Sequence, residues 1–280
     1  MKIKTLITLS AFALLLGGCG KATTSQTVKN APTVATKILI NELPLKDRPF
    51  TVLVPHTSGK VFTFYTQNAN KANSATIDLE YQSGDLLKGA RTTLETPIPN
   101  PQTKAIVLGS CSTGGKCTFD TDLKSGTMKF KLTFPGEQVT HLLKGDFTFV
   151  SGQTNLPDGK VIFEPTKTKT KTIDTYILTN SFGLPMALDK EILLYPIVIS
   201  STGEKNIAGT LTINQSGVTS ALIYDGTSFQ PLKYTESSGV LTVKLDQKPW
   251  SKSATITRDD IKGTQEQTTL YLVGPIVLVK

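Results

Sequence analysis

Thr127-Met128-Lys129-Phe130-Lys131-Leu132-Thr133-Phe134 alternates apolar and polar residues without a break. Successive side chains of a β-strand point to opposite faces. Met128, Phe130, Leu132 and Phe134 therefore share one face, and Thr127, Lys129, Lys131 and Thr133 the other. One face is built for a core and one for water, which is the signature of a half-buried antiparallel strand. The same period recurs outward in both directions. Toward the N-terminus it appears in residues 50–54, 60–66, 74–81 and 105–108, and toward the C-terminus in residues 146–150 and 160–163. It resumes in residues 173–178, 191–199, 207–213, 218–224, 228–234, 239–245 and 254–257. Asp225-Gly226 between two of these runs is a hairpin signal. Residues 268–280 form a closing apolar run, which Gly274-Pro275 is expected to split into two strands or bulge. Helical spacing is scarce. Residues 86–94 are short and interrupted by Gly89, and His141 to Lys144 suffice for one turn. The expected fold class is all-β.

Pro165-Thr-Lys-Thr-Lys-Thr-Lys-Thr172 punctuates the chain. It fits a linker, and it also fits an exposed edge strand guarded by lysine. With the linker preferred, the expectation is two antiparallel β-sandwich-like domains, residues 38–167 and 168–280. Residues 19–37 form a flexible tether before them, because they are rich in Thr, Ala, Ser and Asn without apolar period.

The N-terminus carries a different message. Lys2 and Lys4 precede an apolar stretch from Thr5 to Leu16, and Leu16-Gly17-Gly18-Cys19 ends it. About twelve helical residues span about 18 Å, short of the roughly 30 Å of a bilayer core. The pattern resembles the signal peptide and lipobox of bacterial lipoproteins. That resemblance covers about twenty residues and implies cleavage of residues 1–18, a diacylglycerol on the Cys19 thiol and acylation of the new amino group. Two or three acyl chains anchor a protein firmly, since each buried CH₂ contributes about 0.8 kcal/mol. The implied location is the cell envelope. Gly20 in place of Asp favours the outer membrane if the envelope is Gram-negative.

The formal charge of +8 includes Lys2 and Lys4, and their removal with the leader leaves +6. In the cytosol a basic balance would suggest nucleic acid. An exported chain meets anionic lipid and acidic glycan instead, so the expected partners are the membrane through the lipid and an anionic envelope glycan or another envelope protein, with no nucleic acid. Once Cys19 carries lipid, Cys111 and Cys117 remain as an even pair in an oxidising compartment. The intervening Ser-Thr-Gly-Gly-Lys can turn the chain back, so a disulfide is expected. A reduced, metal-binding pair is the alternative, with His56 and His141 the only histidines available.

Tests for chemistry fail in turn. The loop from Gly109 to Cys117 has one residue too many for a phosphate loop and ends in Cys where Ser or Thr is needed. No Gly-x-Ser-x-Gly occurs, and no serine has lysine three residues later. Both histidines are expected on loops or the surface. Asp120 and Asp122 have the spacing of two calcium ligands, but Lys124 and Ser125 break the loop pattern. No catalytic, metal or cofactor site is expected. The one candidate binding patch is Lys248, Trp250 and Lys252, an aromatic between lysines on a loop, with a core-capping role for Trp250 as its alternative. The expected role is non-catalytic binding, adhesion or assembly. The alternatives are a β-rich hydrolase of envelope polysaccharide or peptidoglycan, and an accessory subunit of an export complex.

Overall fold

The computed structural model describes residues 36–113, 115–150, 154–166 and 175–280. Cys19, its leader and most of the tether lie outside them, as does most of the Thr–Lys tract. The described chain is all-β. Its strands run β1 (Lys37–Ile40), β2 (Phe50–Pro55), β3 (Val61–Gln67), β4 (Ser74–Ser83), β5 (Leu86–Leu94), β6 (Gln102–Val107) and β7 (Gly109–Cys111). They continue as β8 (Cys117–Phe119), β9 (Leu123–Thr133), β10 (Val139–Phe149), β11 (Val161–Pro165), β12 (Tyr176–Asn180) and β13 (Ile197–Ser201). The last seven are β14 (Ile207–Asn214), β15 (Ser220–Tyr224), β16 (Phe229–Leu232), β17 (Thr235–Ser237), β18 (Val240–Gln247), β19 (Trp250–Arg258) and β20 (Thr264–Val279). Among the described residues no helix is long and apolar enough to cross a membrane.

The long alternating stretch forms β9, with Met128, Phe130 and Leu132 buried as its period requires. It lies between β4 and β10 in an eleven-stranded sheet of order β16-β15-β20-β13-β12-β10-β9-β4-β5, with β1 added on β10 and β19 on β20. Three smaller sheets, β11-β14-β18-β17, β2-β3-β6 and the β7-β8 hairpin, complete the fold. His141 to Lys144 lie inside β10, not in a helical turn, because Leu143 alternates with Phe147 and Phe149 into one core.

Thr36–Lys280 forms one compact unit. The boundary expected near residue 168 falls in the undescribed tract. Across it, β10 and β12 are hydrogen-bonded in one sheet, with Phe147 opposite Thr179 and Phe149 opposite Ile177, while β11 leaves that sheet to pair with β14. What doubles is the core, not the sheet. One cluster gathers Phe62, Phe64, Phe130, Phe147 and Ile177, and another gathers Phe163, Leu178, Ile199, Leu211 and Val273. Ile177 and Leu178 are neighbours in β12 and enter different clusters, as strand alternation dictates. The middle strands of the long sheet thus form a wall between two cores. A third, smaller cluster of Phe50, Val52, Tyr65, Val198 and Leu272 lies on the Ile177 side.

Gly274-Pro275 does not split the closing run. β20 continues through it as one strand of sixteen residues with a bulge, where the register against β13 shifts between Ile197–Ile276 and Ile199–Val273. Gly274 is required there. Its φ is +97°, and a Cβ would lie 2.7 Å from the Ile197 carbonyl oxygen.

Phe130 is fully buried, with its ring 5.4 Å from Phe64 and 6.2 Å from Phe182. Phe130→Ala is expected to destabilise the chain by about 3–5 kcal/mol in urea unfolding, the usual cost of removing a close-packed aromatic. A loss below about 1 kcal/mol would mean that the first core is not close-packed at this point.

Candidate functional site

The sequence put Trp250 on a loop. It is instead the first residue of β19, opposite Leu272 of β20. Strand pairing starts there because Ser251 to Arg258 continue the ladder in unbroken register with residues 264–271. The indole Nε1–H donates to the Gly274 carbonyl at 2.7 Å, so the bulge fixes the ring's height on the wall. Phe50 lies 6.4 Å away on one side, and Tyr224 meets the indole at 90° and 5.7 Å on the other. The turn at Asp225-Gly226 presses on the same ring. A Cβ on Gly226 would lie 2.8 Å from the Trp250 Cβ, and the residue has φ +103°. Tyr224 is pinned in turn by its hydroxyl, which donates to the Gly226 carbonyl at 2.9 Å.

This aromatic corner walls a cleft of about 400 Å³. Lys233, Lys244 and Lys248 stand around it with the amides of Gln230 and Gln247. Lys248 and Trp250 of the predicted patch thus meet in one place. Lys252, two residues along β19, is exposed and is not part of the cleft lining. Trp250 packs on the third apolar cluster and also lines the cleft. Sequence reading missed Tyr224, Lys233 and Lys244. The Asp-Gly hairpin flanked by Tyr224 and Phe229 was the available signal for the first.

Asp225 is the cleft's one carboxylate. Its Oδ1 accepts from the Thr227 and Ser228 amides and from the Thr227 hydroxyl, at 2.8, 2.9 and 2.7 Å. The hydrogen bonds from Ser228 and then Thr227 hold its pKa down to about 2. It is ionised at neutral pH, and its lone pairs close the turn. Glycoside hydrolysis needs a pair of carboxyl groups, one of them protonated. The cleft supplies one, locked as the anion, and three ammonium groups. A second cleft of about 490 Å³, at the prolines of residues 97–101, has Glu95 as its one carboxylate.

Cys111 and Cys117 are joined by a disulfide that closes the β7–β8 hairpin. The hairpin rests on the turn after β19, where the Cys117 Sγ lies 3.8 Å from the Asp260 carbonyl oxygen. Asp259-Asp260 is a short 3₁₀ turn and not part of a strand. Beside it stands a polar group that sequence reading missed. His56, expected on a loop or the surface, lies in the loop after β2 and is 7% exposed. The Ser58 amide donates to its Nδ1 at 3.1 Å, which leaves Nε2–H to donate to Glu266 at 3.1 Å. The Ser58 hydroxyl lies 2.9 Å from the same Nδ1. Serine, histidine and acid are therefore in line, as in a hydrolase. The Ser58 Oγ also accepts from the Lys60 amide at 3.3 Å, and Glu266 is claimed by Arg258 at 3.1 Å. The relay closes the β2–β3 hairpin and ties it to β20. His141 is buried too. It pairs with Glu137 at 2.7 Å and packs edge-on against Phe134.

Arg258 completes the group, bonding both oxygens of Asp260 at 3.0 and 2.7 Å. The guanidinium holds the Asp260 and Glu266 carboxyls below their usual range, and the Asp260 side chain is 2% exposed. A carboxyl whose folded pKa is depressed stabilises the fold above its unfolded pKa, near 4, and loses that contribution as pH falls through the folded value. Arg258→Met is expected to cost about 1–3 kcal/mol at pH 7. It is also expected to flatten the loss of stability between about pH 5 and pH 3 in urea unfolding. An unchanged acid slope would show that the pairing does not contribute.

A scan against protein-family models, a search of curated proteins and a search of solved structures each return no match to this chain.

Proposed function

We propose that the chain is a lipid-anchored envelope protein that binds an anionic glycan in the Trp250 cleft without transforming it. The observation that carries the binding reading is the pairing of a locked aromatic wall with three lysines around a cleft whose one carboxylate already accepts three hydrogen bonds within its own turn. A sugar ring presents an apolar face that stacks on an aromatic, and hydroxyls that suit the amides of Gln230 and Gln247. Acidic substituents suit the ammonium groups of Lys233, Lys244 and Lys248. The leader and the Leu16-Gly17-Gly18-Cys19 sequence support the anchor.

Trp250 is the only tryptophan, so the chain's indole emission reports directly on the cleft. Titrating the full chain in mild detergent with oligogalacturonate is expected to give a saturable change in that emission, weakening as salt rises from about 0.1 to about 0.5 M. Lys233→Glu with Lys248→Glu is expected to lower affinity by about tenfold or more. A flat emission response would overturn glycan binding here, and shortening of the oligosaccharide during the titration would overturn the non-catalytic reading.

The anchor has its own test. Cells making the chain are expected to incorporate labelled palmitate into it and retain it with membranes, and Cys19→Ala is expected to abolish both. Labelling that persists in Cys19→Ala would refute lipidation at this residue.

A further inference from the structure

Across the wall from the first core, a third cleft, of about 390 Å³ and polar, opens between the long sheet and the turn before β11. Its floor follows from strand register. Asp146 of β10 stands directly opposite Thr127 of β9 and accepts a hydrogen bond from the Thr127 hydroxyl at 3.0 Å. On the other side, the pairing of Phe147 with Thr179 continues to Asp146 beside Asn180. Directly opposed residues of an antiparallel pair share a face, so Thr127, Asp146 and Asn180 form one polar row. Asp158, on the turn, lines the cleft above that row. Asn180 is 3% exposed, and its Oδ1 is buried without a hydrogen-bond partner.

A buried acceptor without a donor is costly, and so is a half-buried carboxylate beside a second one. Burial pushes the Asp146 carboxyl up, and Asp158 pushes it further, against the Thr127 hydroxyl, which draws it down. The Asn180 Oδ1 requires a donor or positive charge, while Asp146 accepts from the Thr127 hydroxyl and Asp158 from the Lys160 amide, each at 3.0 Å through one oxygen. Lys129 lines the cleft but is paired with Glu80. Lys144 is also on the wall and would compete with a bound cation. Among the described residues no group of three or more His, Cys, Asp and Glu is placed to hold a metal, which argues against a zinc-type site. Calcium differs in taking six to eight oxygens, with amide and carbonyl oxygens and water completing a small number of carboxylates.

We infer that Asp146, Asp158 and the Asn180 Oδ1 form a calcium site that pins the turn before β11 to the shared wall. This inference is independent of the Trp250 cleft and of the lipid anchor. A site with two carboxylates belongs with extracellular modules, whose dissociation constants are about 10⁻⁴–10⁻³ M.

The test uses the full chain in mild detergent, stripped with chelator, with calcium chloride alone as the probe. Adding about 10 mM calcium is expected to raise the melting midpoint by about 3–5 °C. Magnesium at matched ionic strength is expected to raise it by much less, because its smaller, octahedral shell is poorly served here. Asp158→Asn, at an exposed position, is expected to keep the fold and lose the rise, and Asp146→Asn to lose it as well. Lys144→Gln is expected to tighten calcium binding in calorimetry by removing a competing charge. No rise, an equal rise with magnesium, or a rise that survives in both Asn variants would overturn the site and leave the cleft to water.

Discussion

Two-sided burial of the middle strands is the constraint on which the rest of this molecule depends. In β12, β13 and β20, adjacent residues face different apolar clusters: Ile177 and Leu178, Val198 and Ile199, Leu272 and Val273. A strand with water on one face can lose its partner layer and still satisfy its backbone. A strand with apolar groups on both faces cannot, because each face must be covered. The three-stranded sheet covers one side, where the Ser200 hydroxyl donates to the Leu53 carbonyl at 2.6 Å and the Thr51 amide to the Ser181 hydroxyl at 3.0 Å. The β11-β14-β18-β17 sheet covers the other with Phe163, Leu211 and Val243. Each buried Leu, Ile or Phe contributes about 1.5–3 kcal/mol relative to exposure. Opening either layer therefore wets a wall that the opposite core also uses.

The same wall explains what could be read from the sequence and what could not. Strands with one wet face, such as β9 and β14, carry the period openly, since Met128, Phe130 and Leu132, or Ile207, Leu211 and Ile213, alternate with polar residues. Tyr271 to Val279 carries no alternation because both of its faces are dry, and only its length and its Gly-Pro mark it as a bulged strand. Period two identifies a face but not a neighbour. Nothing in residues 146–150 or 176–180 says that they pair with each other across the Thr–Lys tract. A polar tract and a second hydrophobic set read as a linker and a second domain, whereas β10 before the tract and β12 after it share one sheet.

The Trp250 cleft shows the same limit at the scale of side chains. Lys248 and Trp250 are close in sequence and remain close in space. Lys252 shares their spacing but is carried out along β19, since each pair of strand residues advances by about 6–7 Å. Tyr224, Lys233, Lys244 and Gly274 arrive from four other segments, which only the order β16-β15-β20 and the neighbouring β18 bring together. Distant pairing also buried His56, because its partner Glu266 is 210 residues away.

A wall dry on both faces also bears on what kind of site the molecule can carry. The groups around Trp250 are held by the backbone: the indole by the Gly274 carbonyl, Tyr224 by the Gly226 carbonyl, and Asp225 by its own turn. Such fixation lowers the ordering cost of association and favours recognition of a ligand of matching shape. Acid–base chemistry would require a carboxyl able to exchange its proton near neutral pH. In this cleft the one carboxylate is stabilised as the anion by three short hydrogen bonds, which outweigh its desolvation. The hairpin at residues 225–228 both holds Tyr224 against the indole and keeps Asp225 as the anion. The geometry that fixes the aromatic wall therefore also keeps the cleft's one carboxylate as the anion.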